Sequence, residues 1–169
     1  MSPSTRTSSV PSVSDMTGEP AHSQTRAELI VTVVFALWFG LLAIAHVVQA
    51  GRFEAMIPTW LPAPTFLNIV STLGLAAISV LLVRRRTRFV GALAAALMLL
   101  VLQIVHLDDI RTAVSITQND DGEWIRNEGE GSRPVLIGRT LFQLVSIGGA
   151  LWLARNTHPA SFARHAQPR

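Results

Sequence analysis

Four long apolar stretches dominate the sequence, and each is long enough to cross a lipid bilayer as a helix. They cover residues 29–50, 66–83, 89–106 and 135–154, and none of them contains Asp, Glu or Lys. Because a helix rises about 1.5 Å per residue, about 20 residues span the hydrocarbon layer. The pattern predicts an all-α fold, an integral membrane bundle of four helices that run up and down.

A soluble helical bundle fits this pattern poorly. Soluble helices carry charged residues on their outward faces, whereas His46 is the only titratable residue of the first stretch. A cleaved signal peptide is also disfavoured, because this stretch is too long and lacks a small-residue cleavage pattern. The predicted organisation is a disordered tail rich in Ser, Thr and Pro at residues 1–27, a four-helix domain at 28–155 and a basic tail at 156–169.

The arginines predict how the bundle is oriented. The turn "RRRTR" at residues 84–88 places four arginines between the second and third stretches. By the positive-inside rule this turn is cytoplasmic, so both tails are cytoplasmic as well. The segment at residues 107–134 then lies outside, where it carries seven acidic residues against three arginines. The predicted location is the plasma (inner) membrane of a bacterium or an archaeon, with the lipid bilayer as the surrounding partner.

Composition excludes several kinds of chemistry. The chain has no Cys, so dithiol relays, thiolate nucleophiles and cysteine-bound iron–sulfur clusters are excluded, and a redox role needs a bound cofactor or a partner. The net charge of +3 comes from arginines that gather at the ends of the apolar stretches, which indicates topology and not nucleic-acid binding. No phosphate-binding glycine loop or nucleophile elbow is present in the sequence.

The connection between the first two stretches, "FEAMIPTWLPAP" at residues 53–64, is unusually apolar. Its three prolines predict a non-helical shape with few unsatisfied donors. In the predicted orientation it lies at the outer boundary between membrane and water, where Trp is common. Trp60 is therefore either an interfacial anchor or a lid over an outer cavity.

The residues around this loop resemble the DoxX family of small four-helix membrane proteins, which includes the DoxD-like subunits. The likeness rests on His46, Phe53, the run "MIPTWLPAP", and a second helix with Ser71 and Gly74. It covers residues 30–106 and continues loosely into "GRTLFQLVSIGGALWLAR" in the last stretch. The resemblance implies a four-helix fold and a membrane subunit that helps to pass electrons from sulfur compounds or thiols to quinone.

Two features depart from that family's pattern. Many relatives carry a Pro-Ala-Asn element near the end of the third helix, where this chain has "QIVHLDD" at residues 103–109. The outer segment "QNDDGEWIRNEGEGSRP" is also long and hydrophilic, and it predicts a loop with one packed anchor at Trp124. A relative's substrate therefore does not transfer directly to this chain.

Helical spacing brings polar residues from three stretches to one depth near the predicted outer surface. Residues three or four apart share a helix face, and ionisable groups at membrane depth usually face the bundle interior or water. With Trp60 as cover, the candidate ligand site consists of His46, Gln49, Trp60, Gln103, His106, Asp109, Arg139 and Gln143.

The chemistry of this set favours a quinone head group, whose carbonyl oxygens need hydrogen-bond donors and whose reduction needs protons. Arg139 is expected to pair with Asp109 or Asp108, while His46 and His106 supply hydrogen bonds or protons. A purely structural polar network remains the alternative. A haem or a metal held by these histidines is disfavoured, because no supporting ligand pattern is present.

These features predict a small subunit or accessory of a quinone-linked redox system. If the protein takes part in catalysis, it does so as an oxidoreductase subunit together with quinone and a partner. The alternative is a non-catalytic scaffold that recruits proteins through its outer segment or its basic cytoplasmic face, and a small-solute transporter is a weaker third hypothesis. Small residues on the third and fourth helices predict tight packing inside the bundle, with a homodimer as the less favoured use of those faces.

Overall fold

The structure, a computed structural model, describes residues 25–158. The predicted basic tail lies outside the described residues except at its start, and so does most of the predicted N-terminal tail. The elements in chain order are α1 (Arg26–Val48), α2 (Ala50–Ala55), α3 (Pro64–Val83), α4 (Arg88–Thr112), β1 (Ser115–Gln118), β2 (Trp124–Asn127) and α5 (Arg133–Thr157).

Four helices in this part of the chain, α1, α3, α4 and α5, are long and apolar enough to cross a membrane. Their outward faces carry exposed aliphatic side chains such as Leu41, Val48, Leu97 and Val145. A helix that is apolar on its outer face as well as its inner face is typical of a membrane span. The coarse prediction of a helical bundle with four candidate membrane-spanning helices is therefore confirmed.

Contacts between helix ends show that the long helices run antiparallel in sequence order. His46 near the end of α1 bonds Asn68 near the start of α3, and the ring of Phe89 near the start of α4 meets that of His158 just after α5. Each long helix packs on the next, with α4 and α5 in the most extensive contact and α1 and α5 in the sparsest. The result is an up-and-down bundle whose ring closes loosely between α1 and α5.

The core of the bundle is made from a few large side chains among many alanines. Phe39, Leu75 and Leu153 are fully buried, and Ala95 and Ala150 are buried between helices. Small residues allow helix backbones to approach closely, which is the main source of packing energy in lipid. The glycines among the small residues of α4 and α5 do not all lie at the contact between these two helices. A side chain at Gly91 would meet α3, one at Gly149 would meet Phe35 of α1, and Gly148 has open surroundings.

The arginine end of the bundle, defined by the turn Arg84–Arg88, is held by the last of its arginines. Arg88 is buried, and its Nε donates to the carbonyl oxygen of Leu82 at 3.0 Å. The last carbonyls of a helix have no partner within the helix, so the side chain of Arg88 caps α3. The other arginines of the turn stay exposed.

The opposite end of the bundle, here called the polar end, differs from the prediction in two places. The connection at residues 53–64 was predicted to be non-helical, but α2 extends through Ala55 because Pro58 lies beyond it and leaves its amides free to bond. The outer segment was predicted to be a loop, but β1 and β2 form an antiparallel hairpin with Gln118 opposite Trp124. The fold is thus mostly helical with one small sheet, not all-α.

The hairpin is anchored both to α2 and to the end of α4. The ring of Trp124 lies close to Gly51 of α2, as the predicted packed anchor requires. On the other side, the amide of Gly129 donates to the carbonyl of Thr112 at 2.8 Å, and the amide of Gly131 to that of Ala113 at 2.6 Å. A side chain at Gly131 would overlap the backbone carbonyl of Val114, so only glycine fits at this crossing.

We expect Gly131→Ala to destabilise the protein by about 1–3 kcal/mol, which is the usual range for forced overpacking. The methyl group would push the chain away from Val114 and weaken the anchor of the hairpin on α4. Thermal unfolding in detergent measures the effect. Gly148→Ala is the matched control, because nothing lies within 4 Å of its added carbon, and its melting temperature should be equal or higher. Equal melting temperatures for the two variants would contradict the proposed crowding.

Candidate functional site

A cavity of about 440 Å³ lies between the four long helices at the polar end of the bundle. Its deeper part is apolar, with Trp38, Leu42, Leu99, Leu102 and Phe142 on its walls. Polar side chains line the part nearer the polar end: His46, Gln49, Arg52, Asn68, His106, Arg139 and Gln143. A mostly apolar cavity with a few convergent polar groups is the usual form of a small-molecule site.

The wall formed by α1 and α3 is fixed by a hydrogen-bonded pair of polar side chains. Nδ1 of His46 donates to Oδ1 of Asn68 at 2.8 Å, and Asn68 is itself buried. The ring of Phe53 stacks on the imidazole at 3.7 Å between centroids. With the proton on Nδ1, Nε2 of a neutral His46 is a hydrogen-bond acceptor. The amide of Asn68 therefore sets the tautomer of the histidine.

A second amide fixes the wall formed by α4 and α5. Nε2 of Gln143 donates to the carbonyl oxygen of Leu99 at 2.6 Å. This carbonyl already belongs to the backbone ladder of α4, so the bond joins two helices without breaking either of them. Gln143 is buried, which makes a satisfied amide necessary at this depth.

The mouth of the cavity is covered by the segment around the end of α2. Phe53, Met56 and Ile57 line the cavity from this side. The guanidinium of Arg126 on β2 donates to the carbonyl oxygen of Met56 at 3.0 Å. The hairpin therefore holds the cover in place from above.

Arg126 is also the centre of a buried ionic cluster with the end of α4. Its Nη1 donates to Oδ1 of Asp109 at 3.0 Å and its Nη2 to Oδ2 of Asp108 at 3.1 Å. The side chains of Arg126 and Asp109 are only 6% and 1% exposed. Charged hydrogen bonds of this kind are strong when every partner is satisfied. The cluster, here called the Arg126 clamp, joins the hairpin, the cover and α4.

One oxygen of the clamp is left over and faces two residues of the cavity wall. Oδ2 of Asp109 lies 3.8 Å from Nδ1 of His106 and 3.8 Å from Nη1 of Arg139. Both distances exceed a hydrogen bond, and within residues 25–158 neither this oxygen nor Nδ1 of His106 has a hydrogen-bond partner. Three polar groups thus converge without bonding directly, which leaves them available to a further group.

A second guanidinium, that of Arg52, lies at the mouth of the cavity. Nη1 of Arg52 donates to Oε1 of Gln49 at 3.1 Å, and the guanidinium carbon lies 5.4 Å from the centre of the Trp124 ring. Its Nε is buried and has no acceptor in the described part of the chain. A cation over an aromatic face is held by the ring quadrupole, so Trp124 steadies Arg52 beside the cavity.

Residues 35–154 match the family model described as a domain of unknown function, DUF8561. This chain belongs to the DUF8561 family. The matched residues include α3 and α4, most of α1 and α5, the cover, the hairpin and every residue that lines the cavity. No curated protein and no solved structure matches the sequence.

In this DUF8561 chain, five of the eight predicted site residues line the cavity: His46, Gln49, His106, Arg139 and Gln143. Asp109 lies behind the wall and reaches the cavity only through His106 and Arg139. Gln103 is buried outside the cavity lining, and its Oε1 has no partner among the described residues. Trp60 is 56% exposed and also lies outside it, so the cover expected from Trp60 is formed by Met56 and Ile57.

Three residues that matter to this DUF8561 site were missing from the sequence prediction. Asn68 is an amide inside an apolar stretch, and such a residue marks a buried polar contact. Arg52 follows the end of the first stretch directly, at the depth where His46 and Gln49 were placed. Arg126 is one of three arginines in the acidic outer segment, and no sequence signal shows that it contacts α4.

The described residues of this family member contain no cluster of side chains suited to a metal ion. Within residues 25–158, no group of three or more His, Asp or Glu side chains is arranged to hold a metal ion. His106 and Asp109 lie near each other, but Asp109 is already bonded by Arg126. The carboxylate is therefore engaged in an ion pair.

We expect Arg126→Gln to destabilise the DUF8561 chain by about 3–5 kcal/mol, because buried Asp109 would lose its hydrogen-bonded cation and buried Asp108 would lose one of its two. Unfolding in detergent with increasing denaturant measures this. Arg111→Gln is the control, since Arg111 binds the same Asp108 at 2.8 Å but its side chain is 73% exposed, and little change is expected. A loss of stability in Arg111→Gln as large as that in Arg126→Gln would contradict the clamp.

Proposed function

We propose that this protein is a small membrane subunit or accessory of a quinone-linked redox system and that the cavity holds the quinone. The observation that carries the proposal is the division of the cavity. Apolar side chains line its deeper part, and polar side chains from the four long helices line the part near its mouth. A prenylated quinone has the same division, with an apolar tail and two carbonyl oxygens that accept hydrogen bonds.

The residues present suit such a head group. His106 and Arg139 line the cavity, and neither side chain makes a hydrogen bond within residues 25–158. Phe53, stacked on His46, and Phe142 offer flat surfaces at its edge. A bound quinone would supply the electron acceptor that the chain itself lacks. The side chains would orient the head group, exclude water and hold protons near it.

Asp109 is a positioning residue in this proposal. One of its oxygens is fixed by Arg126, and the other lies 3.8 Å from His106. Asp109 therefore places an acceptor oxygen beside the imidazole of His106 at the cavity wall. Arg126 in turn fixes the position of the carboxylate through a charged hydrogen bond of 3.0 Å.

The positions of the arginines support an orientation of the site in the membrane. We propose that the arginine end faces the cytoplasm, as the positive-inside rule requires, and that the cavity opens beneath the outer surface of a plasma membrane. The resemblance to the DoxX family supports a place beside a redox partner. Four helices long and apolar enough to span a membrane support the multi-pass arrangement.

A non-catalytic scaffold is the second candidate, and one observation favours it. The tip of the hairpin is acidic and exposed at Asp120, Asp121 and Glu123, which suits a basic protein surface. In that function the cavity would be structural, and the hairpin would be the working part of the molecule.

We expect the protein purified in mild detergent to retain quinone that organic extraction and chromatography recover. Arg139→Ala and His106→Ala should lose most of it, because each removes a donor from the mouth of the cavity. Arg155→Ala is the matched control, since this arginine lies at the arginine end of α5, and it should retain the wild-type amount. If the wild-type protein carries no quinone, either after purification or when it is enriched directly from its native membranes, the proposal is overturned and the scaffold is favoured.

The proposed orientation has its own test, which the lack of native Cys makes simple. Asp121→Cys places a thiol at the hairpin tip, and Arg86→Cys places one in the arginine turn. On intact cells, a membrane-impermeant maleimide should label the first variant, and it should label the second only after the membrane is opened. The reverse pattern would show that the cavity faces the cytoplasm.

A further inference from the structure

We propose that the cavity selects a ligand whose head group carries a negative charge, and that Arg52 and Arg139 bind that charge together. The inference rests on the cavity of the proposed function and adds the charge of the ligand to it. The ligand class is a single-tailed amphiphile with an acidic head group, such as a hydroxyquinone or an alkyl phosphate.

The first observation is the balance of charge on the cavity wall. Two guanidinium groups, those of Arg52 and Arg139, line the cavity, and no carboxylate does so. The nearest acidic residues are engaged elsewhere. Glu54 accepts a hydrogen bond from Thr65 at 2.9 Å, and Asp108 and one oxygen of Asp109 are bonded by Arg126. The open space of the cavity is therefore bordered by positive charge.

The second observation is that Arg139 lacks a hydrogen-bonded partner. Its one ion pair within residues 25–158 is with Asp109, and the distance of 3.8 Å is too long for a hydrogen bond. A guanidinium has five donors in a fixed fork that matches carboxylate and phosphate oxygens. The side chain of Arg139 is 39% exposed, so a ligand in the cavity can reach part of this fork. An acidic head group would satisfy these donors.

The third observation concerns Arg52. Its Nε is buried without an acceptor, although Gln49 and Trp124 hold the rest of the guanidinium. Arg52 and Arg139 line the same cavity. The chain therefore holds two like charges beside one cavity, and a bound anion between them would turn repulsion into attraction. Neutral head groups offer no such gain.

The apolar wall of the cavity indicates that the rest of the ligand is apolar. Leu42, Leu102 and Phe142 line the cavity away from the guanidinium groups, and α1 and α5 contact each other only sparsely on this side. The rings of Trp38 and Phe142 meet edge to face at 5.6 Å across that seam. One apolar tail fits along this wall, which excludes small hydrophilic anions as the main ligand.

Two pairs of probes with matched tails test the inference on the purified full chain in detergent. The first pair is a 2-hydroxy-3-alkyl-1,4-naphthoquinone, which is ionised at neutral pH, and its uncharged 2-methyl counterpart. The second pair is dodecyl phosphate and dodecanol. Binding is followed by quenching of tryptophan fluorescence for the quinones and by the shift in melting temperature for all four probes. Detergent micelles without protein supply the background.

We expect the acidic member of each pair to bind at least about tenfold more tightly than its neutral partner, as a charged hydrogen-bonded contact would provide. Arg139→Gln and Arg52→Gln should abolish this preference, and Arg139→Lys should restore part of it at low salt. Arg155→Gln is the control and should keep the wild-type preference. Melting temperatures of the variants without ligand show whether each is folded.

The outcomes separate this inference from the proposed function. Equal binding of the acidic and neutral quinones overturns the charge selectivity and leaves quinone binding in place. Binding of dodecyl phosphate without binding of either quinone supports the charge selectivity and overturns the quinone. An unchanged preference in folded Arg139→Gln and Arg52→Gln overturns the assignment of the two arginines. Failure of both acidic probes to bind overturns the inference itself.

Discussion

Hydrocarbon supplies no hydrogen bonds, and this constraint governs the rest of the structure. Every polar group within a membrane-spanning helix must find a partner inside the protein or sit where water or a ligand reaches it. The helices meet that demand with pairs that join neighbours, such as His46 with Asn68 and Gln143 with the carbonyl of Leu99. At the polar end, His106 and Arg139 make no hydrogen bond within residues 25–158, and both line the cavity.

The same constraint explains which parts of the fold could be predicted. Apolar stretches set the four long helices, because length and composition alone decide whether a segment can span a bilayer. Length and composition do not decide where each helix ends. α4 was expected to end at residue 106 but continues to Thr112, because Asp109 within that extra turn is paired by Arg126 and stays buried. A helix ends where its polar groups lose their partners, and those partners lay elsewhere in the sequence.

The hairpin and α2 could not be predicted with the same ease. Their short segments are half polar, and their shape depends on contacts between Trp124 and α2 and between Arg126 and α4. The turn from Asn119 to Gly122 did carry a local signal, since Asn and Gly favour the positive φ that Gly122 adopts at 82°. Alternation of side chains along strands of four residues is too brief to separate a hairpin from a loop.

The predicted partner of Arg139 is present in the structure, but the pair is longer than a hydrogen bond. Arg139 was expected to have Asp109 or Asp108 as its partner, and Asp109 is indeed the nearer carboxylate. Arg126 binds both aspartates at about hydrogen-bond length, however, so Arg139 keeps only a longer contact of 3.8 Å. A residue from the hairpin therefore frees a cation for the cavity. Sequence spacing places residues on helix faces, but it does not show competition from a distant segment.

The Arg126 clamp also makes the cover and the chemistry of the cavity one unit. The same guanidinium bonds the carbonyl of Met56, which lies in the cover, and the carboxylate of Asp109, which faces His106 and Arg139. One side chain therefore links the position of the cover to the position of the carboxylate behind the cavity wall.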